Sequence, residues 1–195
     1  METGFDQIYR EYDRQRQMKI DGEFISKFVM SLKSGSSVLD VGCGSGKVAR
    51  LLNDGGHTVT GIDISRKMLN LARENAPQSK FYRIDIREMD FKANSFDGIV
   101  CLYAIISLPR KWHLSILRRF YKILKPGGLM LINVGLSELK ESVGDFYGAK
   151  MYWSHFGKEK NFELIRKAGF QIKQWKTLGS KNDRHVFIIA LKSNA

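Results

Sequence analysis

From Phe5 to Lys33 the apolar positions follow a helical period: Ile8, Tyr9 and Tyr12, then Phe24, Ile25, Phe28, Val29 and Leu32. Gly22 marks a break between two helices. After Gly35 the pattern changes to short apolar runs separated by helical stretches. Val38–Val41, His57–Ile64, Phe81–Ile86, Phe96–Tyr103 and Leu129–Val134 read as strands. Helices over Lys47–Asn53, Arg66–Asn75 and Arg110–Leu124 lie between them. Ser65 is placed to N-cap the second, Pro109 opens the third, and Lys125-Pro126-Gly127-Gly128 ends it. Gly135–Gly157 is a long segment carrying Phe146, Tyr147, Tyr152, Trp153, His155 and Phe156. A helix over Glu159–Lys167 follows, and Phe170–Thr177 and His185–Leu191 are two final strands. The polar turn between them, with Gly179 and Asn182, is short enough to make the pair antiparallel. Repeated βα alternation predicts an α/β fold: a doubly wound seven-stranded sheet, mostly parallel with an antiparallel last strand, and helices on both faces.

Length and composition narrow the class. The 195 residues are expected to form one domain, 1–195, and 43% apolar with 27% charged is ordinary for a globular chain. The longest apolar run, Gly98–Leu108, is too short for the ~20 residues of a membrane helix. Met1–Arg16 is rich in charge and lacks an apolar stretch, so a cytoplasmic protein is expected. Cys43 and Cys101 cannot make a disulfide framework or a four-ligand zinc site by themselves, and no metal site is expected. The net charge of +12 is unevenly placed: residues 1–100 hold 15 Lys+Arg against 14 Asp+Glu, and residues 101–195 hold 17 against 6. A solvated surface accounts for this excess, and a nucleic-acid or acidic partner would also use it.

The chemistry concentrates at Ser37–Arg50, S-V-L-D-V-G-C-G-S-G-K-V-A-R. Strand, glycine turn and helix start make an anion-friendly site, because the first N–H groups of a helix are unpaired. Gly42, Gly44 and Gly46 do not follow the G-x-G-x-x-G spacing of dinucleotide sites; Lys47 stands where its third glycine would fall. Asp40 would repel a pyrophosphate but suits a ligand with an amino group beside a carboxylate. Asp63, at the next strand's end about twenty residues on, is placed to accept from two ribose hydroxyls.

D-V-G-C-G-S-G closely resembles motif I of the class I S-adenosylmethionine-dependent methyltransferases. G-I-D-I-S-R-K-M-L (61–69), R-I-D-I (83–86), F-D-G-I-V (96–100) and L-K-P-G-G-L (124–129) resemble that family's later motifs in order. The likeness is to its small type-11-like and type-25-like domains, with a Rossmann-like sheet. It implies S-adenosylmethionine as cofactor and S-adenosylhomocysteine as product. Gly42, Gly44 and Gly46 would pack against the methionyl portion, and Asp40 would lie near its amino group. Asp63 would take the ribose, Ile64 and Met68 would lie against the adenine, Asp85 would accept from the adenine amino group, and Ile86 would cover the ring. Leu102 and Tyr103 would sit close to the sulfonium.

The implied reaction is in-line displacement of a methyl group, in which positioning and desolvation can carry much of the rate. His155 is the best-placed histidine for a general base, with Tyr103 as a second catalytic residue. Tyr12, Tyr152 and Trp153 are expected at the acceptor. Residues 1–33 would form a lid and 135–157 a cap over the acceptor pocket. With no appended recognition domain, the expected acceptor is a small molecule, for a monomer or homodimer without membrane attachment. An RNA or protein acceptor guided by Lys111, Arg118, Lys122 and Lys125 is the alternative; nucleic acid is not favoured, because no [DNS]-P-P-[YFW] motif follows the fourth strand. A non-catalytic cofactor-binding module is the third reading.

Overall fold

The computed structural model describes residues 3–16, 22–180 and 183–194. Helices α1 (Gly4–Arg16) and α2 (Gly22–Ser31) lead into β1 (Ser37–Val41), α3 (Lys47–Asp54), β2 (Thr58–Asp63), α4 (Arg66–Asn75) and β3 (Lys80–Arg83). The chain continues through β4 (Phe96–Cys101), α5 (His113–Ile123), β5 (Leu124–Gly135), β6 (Leu139–Phe146), β7 (Ala149–His155), α6 (Lys158–Lys167), β8 (Gln171–Ser180) and β9 (Asp183–Leu191). Seven strands form one sheet in the order β3-β2-β1-β4-β5-β9-β8, while β6 and β7 pair separately. Strands β1 to β5 are parallel, and β9 runs antiparallel between β5 and β8.

The two-residue period of the strands divides the core. Leu39 and Val41 of β1 face α5 and α6 through Ile116, Phe120 and Ile165. Val38 faces the opposite layer, where Phe28 of α2, Leu52 of α3 and Leu69 of α4 pack. Central strands buried on both sides explain their nearly continuous apolar runs. Strand order reverses between β1 and β4, so a crevice opens at the carboxyl ends of those strands, where α/β sheets hold ligands. Among the described residues no helix is long and apolar enough to cross a membrane.

The doubly wound sheet with an antiparallel last strand is therefore as expected, and the boundaries differ in instructive ways. The third strand stops at Arg83, so Asp85 and Ile86 lie in the following loop; Ile84 N still donates to Asp63 O at 3.1 Å. The fourth strand stops at Cys101, because Tyr103 takes a left-handed conformation (φ 59°) that a strand cannot carry. Lys125–Gly128 does not separate helix from strand: Leu124 already pairs with Phe96, and the register shifts before Gly98 pairs with Leu129. Gly22 is the first residue of the second helix, while residues 17–21 before it and Asn182 lie outside the described residues.

Residues 135–157 hold a hairpin rather than an irregular segment. The β6–β7 turn is made by Tyr147 and Gly148, both at positive φ (53° and 85°), which matches the twist of a tight hairpin. Only alternate positions of β6 are partly covered, so its apolar signal in the sequence is weak. Asn161, buried in the first turn of α6, ties down the hairpin's base. Its Nδ2 donates to Gly135 O at 3.0 Å and to Phe156 O at 2.7 Å. Asn161→Ala should lower the unfolding free energy by about 1–3 kcal/mol, because it strands buried carbonyls. Urea denaturation with an unchanged midpoint would show that this anchor carries no stability.

Candidate functional site

Three strand ends and one helix build the site. After β1 the chain turns through Gly42 (φ 68°) and Gly44 (φ 52°), conformations that side chains rarely adopt. A Cβ on Gly42 would lie 2.5 Å from Ala104 Cβ, so only glycine lets the β1 and β4 loops meet. Gly42 N and Cys43 N both donate to Ile62 O, at 2.8 and 3.0 Å, which sets the turn against β2. Gly46 does a different job: it packs on Ala72 of α4, where a Cβ would lie 2.9 Å from Ala72 Cα.

Asp63, at the end of β2, braces this turn. Its Oδ2 accepts from Gly44 N at 2.9 Å and its Oδ1 from Ser65 N at 2.8 Å. Burial raises its pKa, and the N–H groups of Ser65 and Gly44 work against that rise. Asp40 is buried one strand away with weaker support. Its Oδ2 has no hydrogen-bond partner, and burial, then the charge of Asp63, push its carboxyl up to about 7. Asp85 is held differently: Arg87 Nε and Nη2 grip its carboxylate at 2.5–3.1 Å and Arg87 N donates at 2.8 Å. The Arg87 side chain keeps that carboxyl below the usual range.

A cleft of about 210 Å³ opens over these groups. It brings together Gly42, Gly44, Asp63, Ile64, Met68, Asp85, Ile86, Leu102, Tyr103 and Tyr12 of the sequence candidates, while Asp40 faces a smaller adjoining cavity. Tyr103 is fixed there by its N–H, which donates to Oδ1 of buried Asn133 at 2.5 Å, and by ring contacts with His185 and Phe187. Helix α1 roofs the cleft. Tyr12 meets Phe5 (5.5 Å between ring centres) on one side and Phe146 of the hairpin (6.1 Å) on the other.

His155, Tyr152 and Trp153 lie outside the lining of both cavities. The His155 ring occupies the space over Gly135, its Nδ1 bonded to Ser137 O at 2.9 Å, and burial lowers its pKa. Trp153 meets Phe146 edge-on, and the buried Tyr152 hydroxyl has no hydrogen-bond partner. Conversely, sequence reasoning missed Phe5, Ile84, Ser107 and Leu108 in the lining. It also missed Asp6 of α1, whose Oδ1 accepts from Ser65 Oγ at 2.6 Å and Lys67 N at 3.0 Å. Burial opposes Asp6's charge, but Lys67 N–H, the Ser65 hydroxyl and Thr3 outweigh it and hold the carboxyl well below the usual range. An acid among helical apolar positions carries no local signal of such a distant partner.

An acidic floor, a glycine turn without side chains and apolar walls suit a nucleoside joined to an amino acid. The unmatched Asp40 oxygen and the Gly42 cradle are the specific points of fit. Residues 38–128 match the family model described as a methyltransferase domain. The chain is 29% identical over 138 residues to the demethylmenaquinone methyltransferase of Listeria welshimeri, covering 64% of this chain and 57% of that protein. It is 29% identical over 148 residues to the 27-O-demethylrifamycin SV methyltransferase of Amycolatopsis mediterranei, covering 72% and 48%. The chain thus spans about half the length of these curated relatives. The crystal structure of Burkholderia thailandensis 1,6-didemethyltoxoflavin-N1-methyltransferase, with 1,6-didemethyltoxoflavin and S-adenosylhomocysteine bound, superposes with TM-score 0.76 at 20% identity, covering 97% of this chain and 86% of that one. The five motifs, the strand order and the match over residues 38–128 agree: the chain carries a methyltransferase domain, similar to those of the class I S-adenosylmethionine-dependent methyltransferases.

Proposed function

We propose that this protein transfers a methyl group from S-adenosylmethionine to a small-molecule acceptor. The observation that carries the reading is the roofed cleft, where Phe5 and Tyr12 of α1 close over the acidic floor opposite the largely apolar wall of Ile84, Leu102, Tyr103 and Leu108. That the relatives above act on a demethylmenaquinone, a demethylrifamycin and a didemethyltoxoflavin by name supports it.

The cofactor supplies a methyl group on a sulfonium, an excellent leaving group displaced in line by the acceptor's nucleophile. The protein's part is to bind, orient and exclude water. Asp63 would accept from the ribose while its other lone pairs keep the turns in place. Ile64, Met68 and Ile86 would flank the adenine, with Asp85 at its amino group. Asp40 would face the amino group of the methionyl portion. Leu102 and Tyr103 would hold the reacting centre, and α1 would act as the lid. The hydroxyls of Tyr12, Tyr103 and Ser107 are polar groups able to orient an acceptor within an apolar wall. With His155 turned to Ser137, an acceptor that loses its proton without a protein base fits best.

The basic stripe around α5 favours no polymer reading. Only Arg118 and Lys122 lie on α5; Lys111 precedes it, and Lys125 lies in β5, at the amino ends of the strands, where it grips Asp97 at 2.8 Å away from the cleft at their carboxyl ends.

Protein incubated with methyl-labelled S-adenosylmethionine and size-fractionated cell extract should place label in the low-mass fraction. Label in RNA or protein would overturn the small-molecule reading. Asp63→Ala should weaken S-adenosylhomocysteine binding by about 1.5–3 kcal/mol, the range for hydrogen bonds to a charged group. An unchanged calorimetric dissociation constant would remove Asp63 from the cofactor site. A third expectation concerns pH. A carboxyl raised from 3.8 to about 7 makes the folded state bind more protons between those values, so Asp40 costs the ligand-free protein stability as pH rises through that window. A ligand ammonium favours the ionised form, so affinity should rise by up to about tenfold per pH unit below pH ~7 and then level. Asp40→Asn should flatten both profiles, and slopes that survive the substitution would assign them to another group.

A further inference from the structure

The smaller cavity, about 70 Å³, is lined by Asp13, Asp40, Ser45 and Lys47, and it holds a cation that none of the roles above uses. Asp40 is buried with one carboxylate oxygen unmatched, which calls for a donor such as an ammonium. Lys47, the first residue of α3, stands on the other part of the turn. Its Nζ lies 2.7 Å from Asp13 Oδ1 and also donates to Asp13 O. Ser45 Oγ donates to the same Asp13 carboxylate, so α1 is fastened to the glycine turn at this point. An ammonium has three donors, and Asp13 takes two. The side chain lines the cavity and is 23% exposed. An anion and a cation lining one small cavity are complementary to an α-amino acid, and the start of α3 adds the favourable field of a helix N-terminus for its carboxylate.

We propose that Lys47 binds the carboxylate of the cofactor's amino-acid end, with Asp13 of α1 as the positioning residue that aims its ammonium. The inference rests on the cofactor reading and goes beyond it. Lid and cofactor then share one cation: the helix that roofs the cleft is held through the same side chain that recognises the ligand's far end. A ligand without that end leaves Lys47 to Asp13 alone and gains nothing from it.

Titration calorimetry with two ligands tests this. S-adenosylhomocysteine carries the amino-acid end; 5′-methylthioadenosine has the same nucleoside and thioether without it. Lys47→Met should weaken S-adenosylhomocysteine by about tenfold or more beyond what the loosened α1 costs methylthioadenosine, the effect of one charged hydrogen bond. Lys47→Arg, which keeps the cation, should retain most of the affinity. Asp13→Asn should also weaken S-adenosylhomocysteine more than methylthioadenosine, and adding it to Lys47→Met should not widen the difference between the two ligands further. Equal weakening of both ligands by Lys47→Met, or an unchanged S-adenosylhomocysteine affinity, overturns the assignment. Wild-type protein that binds neither compound overturns the cofactor reading beneath it.

Discussion

The carboxylate of Asp63 is the junction on which the site depends. It is a half-buried charge at the end of β2, and it takes one N–H from the glycine turn and one from the turn that starts α4. Burying a carboxylate is costly unless its lone pairs are matched, and here backbone donors from two loops do the matching. Each loop is thereby placed relative to the other through a single rigid group. Loss of either contact would free the loop and expose the charge to an unfavourable environment, so the geometry is specified by mutual need.

The neighbouring acids show how environment separates identical side chains. Asp40 is buried without a matched oxygen and rises to about 7, while Asp85 is clasped by Arg87 and falls below the usual range. Asp6 lies far away in the chain, yet donors at the start of α4 outweigh the burial that opposes its charge. One floor thus offers a carboxyl that titrates near neutrality beside carboxylates held charged. Such an arrangement suits a ligand that brings its own positive charge and hydroxyls to specific places.

Above that floor the roof is assembled from aromatic contacts between elements that are distant in sequence. Phe5, Tyr12, Phe146 and Trp153 touch in succession, joining α1 to the hairpin. At the hairpin's other end Asn161 secures the exit from β5 and β7. The acidic latches of Asp6 and Asp13 fasten α1 along its length, so the lid is held by polar contacts at both ends and by rings between them.

By itself the sequence determined the sheet, its antiparallel last strand, the glycine turn and the acids at or just beyond three strand ends. Those signals are local: a period of two or of about four, a glycine where φ must be positive, and an acid a fixed distance beyond it. Tertiary structure alone decided the roof and the orientation of the side chains beneath it. The Lys47–Asp13 pair spans 34 residues and the Tyr103–Asn133 bond 30, separations over which no periodic pattern can carry information. His155 has the right residue type in the right segment, yet its strand turns the ring over Gly135 towards Ser137. A strand's two faces follow from its partner and register, and the weak alternation of β6 leaves both to be fixed by packing of the folded chain.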